Sequence, residues 1–391
     1  MIRVLTFSFL IGILTLFVTC KEAYDPPVIS NTSSYLVVEG IINVAGHTTI
    51  KLSRTTQLKD TVKVKPEDNA VLNIEDEANN RFMLQQEGPG TYVLPPSPLN
   101  IGVKYRLRIK TRNATEYLSD YVVALRTPEI DSINYKIRGN GVQFYANTHD
   151  PENKTRYYRW EFDESWIYNS ALYSSAQYSN GDIVDRPLNN LIYYCYRSAV
   201  SSNIIIGSSA NLTNDVITDG PVSFVPAETG KVAYAYNILI RQYALSKDAY
   251  EYWQNLKKNT EQMGTIFDAQ PSLASGNITC VTYPNEPVIG FLSASSVSFK
   301  RYHFLNKDLP IHSPSYVGPP SKSSCLTQEI FFNPRSTYAS RVQEIFASGR
   351  FIPTEPISDP AVGIIGYTYS SNECVDCREK GGTTVKPSYW P

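Results

Sequence analysis

Between Val103 and Lys110 the chain alternates strictly. Val103, Tyr105, Leu107 and Ile109 are apolar, while Lys104, Arg106, Arg108 and Lys110 are basic. Side chains of an extended chain point to opposite faces in turn, so this period of two predicts a β-strand with one face in a core and the other in water. Strand-like runs recur at Tyr35–Ile42, Thr48–Ser53, Ala70–Ile74, Arg81–Gln85 and Tyr117–Ala124, with an acidic, Asn-rich turn over 75–80. Short strands separated by Gly, Pro and Asn turns predict an immunoglobulin-like β-sandwich over residues 35–127. The basic face of the 103–110 strand reads as a solvated surface. Lys and Arg total 36 against 37 Asp and Glu, a balance that argues against a nucleic-acid binder, which carries a basic excess or stripe.

Thr127–Asp131 (TPEID) marks a boundary, and residues 128–391 read as a larger β-rich domain. Its expected strands are Gly141–Asn147, Tyr157–Phe162, Asn203–Gly207, Lys231–Tyr243 and Val288–Arg301. One helix is expected, over 246–263. Ser246 can cap it, Asp248 lies in its first turn, Gly264 follows its end, and Ala249, Tyr252, Trp253, Leu256 and Met263 fall on one stripe. From Asp308 onward the sequence is rich in Pro, Ser and Gly with little periodicity, which predicts an irregular C-terminal region pinned by disulfides. The predicted class is therefore mainly β: a sandwich, then a larger β-rich domain with one helix.

The N-terminus sets the compartment. After Met1–Arg3, the run Val4–Thr19 is almost unbroken apolar sequence and stops at Cys20. It is short for a membrane span of roughly twenty residues and suits a signal-peptide core. A core that ends at a cysteine reads as a lipoprotein signal over 1–19, with Cys20 as the lipid attachment site and 20–34, including Pro26 and Pro27, as an extended tether. Acyl chains anchor at about 0.8 kcal/mol per CH₂ without a spanning helix. The five Asn-x-Ser/Thr sequons are inert in such a bacterial lipoprotein.

Five cysteines remain: Cys195, Cys280, Cys325, Cys374 and Cys377. In an exported protein disulfides are the default. Cys374 and Cys377 form a CxxC in a loop-rich tail with no βαβ context for redox work, and pair either with each other or with Cys195 and Cys325. Cys280 is the leftover. His47, His149, His303 and His312 make no metal-ligand spacing, so neither a metal nor a cofactor is expected. No nucleophile elbow, P-loop or dinucleotide fingerprint is present. Asp163 and Glu164 are adjacent and so face opposite sides of a strand, a poor acid–base pair. No catalytic residue is assigned, and a non-enzymatic protein is expected. Residues 157–196 hold Tyr157, Tyr158, Trp160, Phe162, Trp166, Tyr168, Tyr173, Tyr178, Tyr193, Tyr194 and Tyr196, eleven aromatics in forty against 12% for the chain. Tyr and Trp favour interfaces because they give contact area at low entropic cost. Trp160 and Phe162 are expected in the core. Trp166, Tyr168, Tyr173 and Tyr178 are the interface candidates.

Blocks along the mature chain carry a family resemblance. They include Leu36–Ile41 (LVVEGI), Ile50–Thr55 (IKLSRT), Tyr158–Phe162 (YRWEF), Gly264–Ser272 (GTIFDAQPS), Cys374–Arg378 (CVDCR) and Lys386–Pro391 (KPSYWP). The sequence resembles a family of Bacteroidota outer-membrane lipoproteins catalogued as domain of unknown function 4249, and Lys21–Glu22 after Cys20 is similar to a surface-export signal of such lipoproteins. The resemblance implies no activity. It implies an outer-membrane, cell-surface protein held by its N-terminal lipid, whose partner is an outer-membrane β-barrel, in the first place a TonB-dependent transporter. Two other readings are an accessory subunit of an outer-membrane assembly or export machine, and a glycan-binding or carbohydrate-active surface protein.

Overall fold

The computed structural model describes residues 34–56, 64–261, 276–309, 325–332 and 335–391. The signal run, Cys20, the Gly264–Ser272 block, Met263 and His312 lie outside the described residues. The chain is mainly β, as the alternation predicts.

The first unit contains β1 (Leu36–Asn43), β2 (Thr48–Arg54), β3 (Lys65–Pro66), β4 (Val71–Asp76), β5 (Arg81–Gly88), β6 (Thr91–Leu94), β7 (Lys104–Lys110), β8 (Glu116–Ser119) and β9 (Val122–Val123). β5 belongs to two sheets. Its first half pairs with β4 through Leu84↔Leu72, and its second half pairs with β6 from Gln85↔Val93 onward. The strand thus crosses a corner and folds the two sheets over one core. Leu36, Ile50 and Leu52 of β1 and β2 share that core with Leu72, Ile74, Leu107 and Ile109 of β4 and β7. Each such buried side chain contributes about 1.5–3 kcal/mol of transfer free energy. The outer face of β7 is more than solvated. Arg106 and Arg108 donate to the Glu75 carboxylate at 2.9 and 2.8 Å, and Arg81 reaches it at 3.1 Å. Burial pushes the Glu75 carboxyl up, but the hydrogen bonds from Arg108 and Arg106 outweigh it and hold it below the usual carboxylate range.

The second unit follows as β10 (Ile130–Arg138), β11 (Gly141–His149), β12 (Tyr157–Asn169), β13 (Ala176–Ser179), β14 (Asp182–Asp185), β15 (Tyr194–Val200), β16 (Ile205–Ser208), β17 (Val216–Pro226), β18 (Ala235–Leu245) and the helix α1 (Lys247–Glu261). Ser246 Oγ accepts the Ala249 backbone N–H at 3.2 Å, the N-cap expected from the sequence. Ala249 and Tyr252 are buried, and Arg159 sits 3.8 Å from the Trp253 ring centroid. Three short strands then return to the first unit. β19 (Ile278–Cys280) pairs with β8, while β20 (Val288–Ile289) and β21 (Ala294–Ser295) run parallel to β1. Their residues Ile278, Val288, Leu292 and Ala294 join the first core. The first sandwich is therefore built from 35–127 plus the returning stretch 278–295, and the single strand expected over Val288–Arg301 is divided between the units. At Gly290, with φ of 140°, a Cβ would lie 2.2 Å from the Val38 carbonyl oxygen, so only glycine lets the chain pass here.

After Ser296 the chain enters β22 (Val297–Leu305), the edge of a sheet ordered β15-β12-β18-β22. That sheet packs on β10-β11-β17 around Tyr158, Trp160, Phe162, Phe144, Tyr236, Ile238 and Phe304. Two of the chain's passages between the units, after Thr127 and after Ser296, run side by side. Thr127 N–H donates to Ser296 Oγ at 2.9 Å, Ser296 N–H to the Leu125 carbonyl at 3.0 Å, and Ile130 N–H to Ser298 Oγ at 3.2 Å.

The C-terminal region is more regular than the sequence indicates. β23 (Gln328–Phe331), α2 (Arg335–Phe346), β24 (Phe351–Asp359), β25 (Gly363–Ser371) and the short α3 (Asn372–Val375) form a small unit with strand order β23-β25-β24. Ile330, Phe346, Tyr367 and Tyr369 pack there against Ala176 and Ile183 of the β13–β14 hairpin. β24 hides its pattern because Pro353 and Pro356 interrupt it. They bound a register shift on an edge strand, where a missing N–H is tolerated.

Candidate contact surface

The four aromatic interface candidates separate. Trp166 is 9% exposed and belongs to the second core, not to the surface. Trp160, Phe162, Glu164 and Trp166 share one parity on β12, so the strand period that buries the first two buries Trp166 as well. The Lys231 ammonium lies 4.6 Å from its ring centroid. Tyr168 is half-buried. Its hydroxyl donates to the Cys377 carbonyl at 2.7 Å, and a Cβ on Gly382 would collide with it, so it holds the tail rather than a partner. Tyr178 stacks on Phe346 of α2 with centroids 6.0 Å apart. Tyr173 alone of the four is exposed, at 40%.

Tyr173 stands in a cluster that the sequence does not assemble. Its ring meets Tyr193 edge to face at 5.5 Å, Tyr193 meets Tyr194 at 4.7 Å, and Tyr194 meets Tyr234 at 5.4 Å. Buried Asn169 fixes the middle: its Nδ2 donates to Tyr193 Oη at 2.8 Å, and its Oδ1 accepts from Tyr234 Oη at 2.9 Å. Burial, with the neighbouring Tyr193 and Tyr194 hydroxyls, pushes the Tyr234 phenol up to about 12. Tyr194 is 50% exposed. The cluster thus has pinned inner rings and open outer rings, an arrangement that offers contact area without having to order it first. Tyr193 and Tyr194 lie in the aromatic stretch and directly precede Cys195, which is the signal that could have nominated them. Tyr234 joins through the Tyr194 ring and the Asn169 amide, and no sequence spacing reveals either contact.

The base of the cluster is tied to the CxxC segment. Cys195 is bonded to Cys377 and Cys325 to Cys374, so the two tail cysteines pair outward rather than with each other. Cys377 N–H donates to the Ile192 carbonyl and Leu172 N–H to the Cys374 carbonyl, both at 2.9 Å. Cys280 is free and buried in the first unit.

The adjacent acidic pair faces opposite sides of β12. Arg241 clamps Asp163 with two bonds of 2.6 and 2.7 Å, while Glu164 takes Lys231 and the Tyr236 hydroxyl on the core side. The histidines lie apart: His149 pairs with Asp131 at 2.8 Å, and His303 meets Trp390 edge to face at 5.0 Å. Among the described residues no group of three or more His, Cys, Asp or Glu side chains is placed to hold a metal, and no helix is long and apolar enough to cross a membrane.

The family described as "Domain of unknown function (DUF4249)" matches residues 21–301. No curated protein matches the chain. Similar solved structures include a two-domain fibronectin type III segment of chicken tenascin, at 10% identity over 55% of this chain and 93% of that one, with a TM-score of 0.15. A chain of a structure that comprises manganese lipoxygenase of Gaeumannomyces graminis and part of zonadhesin of Komagataella pastoris matches at 10% identity over 55% of this chain and 90% of that one, with a TM-score of 0.16. Chitinase ChiA74 of Bacillus thuringiensis matches at 9% identity over 51% and 30%, with a TM-score of 0.15. At such TM-scores these likenesses bear on neither fold nor function.

Proposed function

The chain belongs to the DUF4249 family of domains of unknown function, and we propose that it is a non-enzymatic lipoprotein of the outer-membrane surface that serves an outer-membrane β-barrel as a lid or docking partner. The barrel is a TonB-dependent transporter. Cys20 carries the lipid, and residues 21–34 tether the first sandwich to the membrane. The observation that carries the docking role is the tyrosine cluster, with Tyr173 and Tyr194 open to solvent on a base held by both disulfides. Aromatic anchors on a rigid base are the residues that dominate interface energetics, at about 2 kcal/mol or more each when central. The cluster would be the centre of a larger interface, since stable ones bury about 1,600 Å².

The test is co-purification of the tagged protein from outer membranes solubilised in mild detergent. A barrel of the TonB-dependent class elutes with the wild type, and the Tyr173→Ala/Tyr194→Ala variant elutes without it while keeping its thermal transition. Recovery of the wild type alone sinks the proposal.

A further inference from the structure

A second site lies on the first sandwich, away from the tyrosine cluster. Where Ser34 and Tyr35 enter β1, an open basin of about 600 Å³ is lined by Ser34, Tyr35, Arg54, Lys65 and Glu67 together with residues from two distant stretches, Asn113 to Tyr117 and Asn285 to Pro287. Its floor is a fixed polar network. Arg54 Nε donates to Glu67 at 2.6 Å, and Arg54 Nη1 reaches Tyr117 Oη and Glu286, each at 3.4 Å. Tyr117 donates to Glu286 at 2.8 Å. Behind Glu286 stands the free Cys280, its sulfur 3.8 Å from the carboxylate and accepting the Tyr283 N–H at 3.3 Å. The loop that brings Asn285 and Glu286 to the basin is therefore held by the buried thiol.

The lining decides what such a basin can take. Arg54 and Lys65 balance Glu67 and Glu286, so it is neither an anion nor a cation trap. Aliphatic surface is limited to Pro287, so a lipid or other apolar ligand gains little there. What remains at the rim are the Asn113 and Asn285 amides and the Thr115 hydroxyl, which donate and accept, and Ser34 Oγ, which donates to the Thr55 carbonyl at 3.1 Å and is left to accept, with the ring of half-buried Tyr35 as a wall. Among the described residues no hydrogen bond reaches the Asn113 or Asn285 side chain. An amide pairs at once with two neighbouring hydroxyls, and an aromatic face covers the C–H side of a pyranose ring. We infer that this basin binds a neutral carbohydrate of one or two sugar units, held by Asn113 and Asn285 over the Arg54–Glu286 floor, at a site distinct from the docking surface.

The experiment uses the full chain in a zwitterionic, sugar-free detergent. Saturation-transfer NMR and calorimetry are run with maltose, lactose, cellobiose and N,N′-diacetylchitobiose, with citrate and inorganic phosphate as anion probes. At least one disaccharide binds with a dissociation constant of about 1 mM or tighter. Asn113→Ala and Asn285→Ala each weaken it about tenfold, while Tyr173→Ala leaves it unchanged. The inference is overturned if none of the four disaccharides binds, if citrate or phosphate binds in their place, or if both asparagine variants bind as the wild type does.

Discussion

Removing the Cys195–Cys377 bond by the double substitution Cys195→Ala/Cys377→Ala tests how the second unit is held. The bond closes a loop with a sequence separation of 182, and Cys325–Cys374 closes one of 49. Loop-closure entropy makes the larger loop worth about 5 kcal/mol and the smaller about 4 kcal/mol, a difference of about 1 kcal/mol. Packing widens the gap. Cys195 and Cys377 are fully buried beside the tyrosine base, whereas Cys325 and Cys374 are half-buried at the edge of a minor core. The assay is urea unfolding followed by tryptophan fluorescence, because Trp160, Trp166, Trp253 and Trp390 all lie on the second unit. The Cys195/Cys377 variant unfolds at the lower urea concentration, and the Cys325/Cys374 variant lies between it and the wild type. Equal midpoints for the two variants, or the reverse order, would refute this reasoning.

Three other outcomes follow from the charge and packing described above. Glu75→Gln costs about 2 kcal/mol at neutral pH, the scale of hydrogen bonds to a charged group. The Glu75 pKa is depressed on folding, so its stabilisation is full above the unfolded carboxyl value near 4.5 and is lost as pH falls through the folded value. Acid titration of the wild type against the variant shows the two curves converging at low pH. His149 has a raised pKa because Asp131 hydrogen-bonds it. Its contribution is full below the unfolded value near 6.5 and disappears as pH rises through the folded one, and Asp131→Asn lowers the imidazole titration followed by NMR. Trp390 donates to Ser165 at 3.1 Å and packs edge to face on Tyr196 and His303, so Trp390→Ala costs about 3 kcal/mol, read as a lowered thermal midpoint.

The legible parts of this chain are those where one face of an element meets water. β7 announced itself because Tyr105, Leu107 and Ile109 alternate with charge, and α1 because its cap and aromatic stripe have local causes. The short returning strands β19, β20 and β21 are two or three residues each, too brief to show any period, and their pairing depends on a partner more than 150 residues away. Trp166 illustrates a different failure. Composition drew attention to it as part of an aromatic-rich segment, but parity along β12 governs its position. The tyrosine cluster was half legible: Tyr173 and the Tyr193–Tyr194 pair lie in the dense stretch, while the bridging role of Asn169 exists only in three dimensions. For the basin, Arg54, Asn113 and Asn285 come from loops and strand ends whose meeting no local pattern encodes.

The paired connections at Thr127–Ile130 and Ser296–Ser298 have a mechanical consequence. A single linker lets two units swivel; two strands of chain laced by hydrogen bonds resist torsion as a strap does. A pull or twist on one sandwich is therefore delivered to the other without slack. Cutting the chain after Thr127 would leave the first sandwich short of three strands, with the edges of β1 and β8 bare and open to pairing with another molecule. The two units are in this sense one lever, and neither is a detachable module.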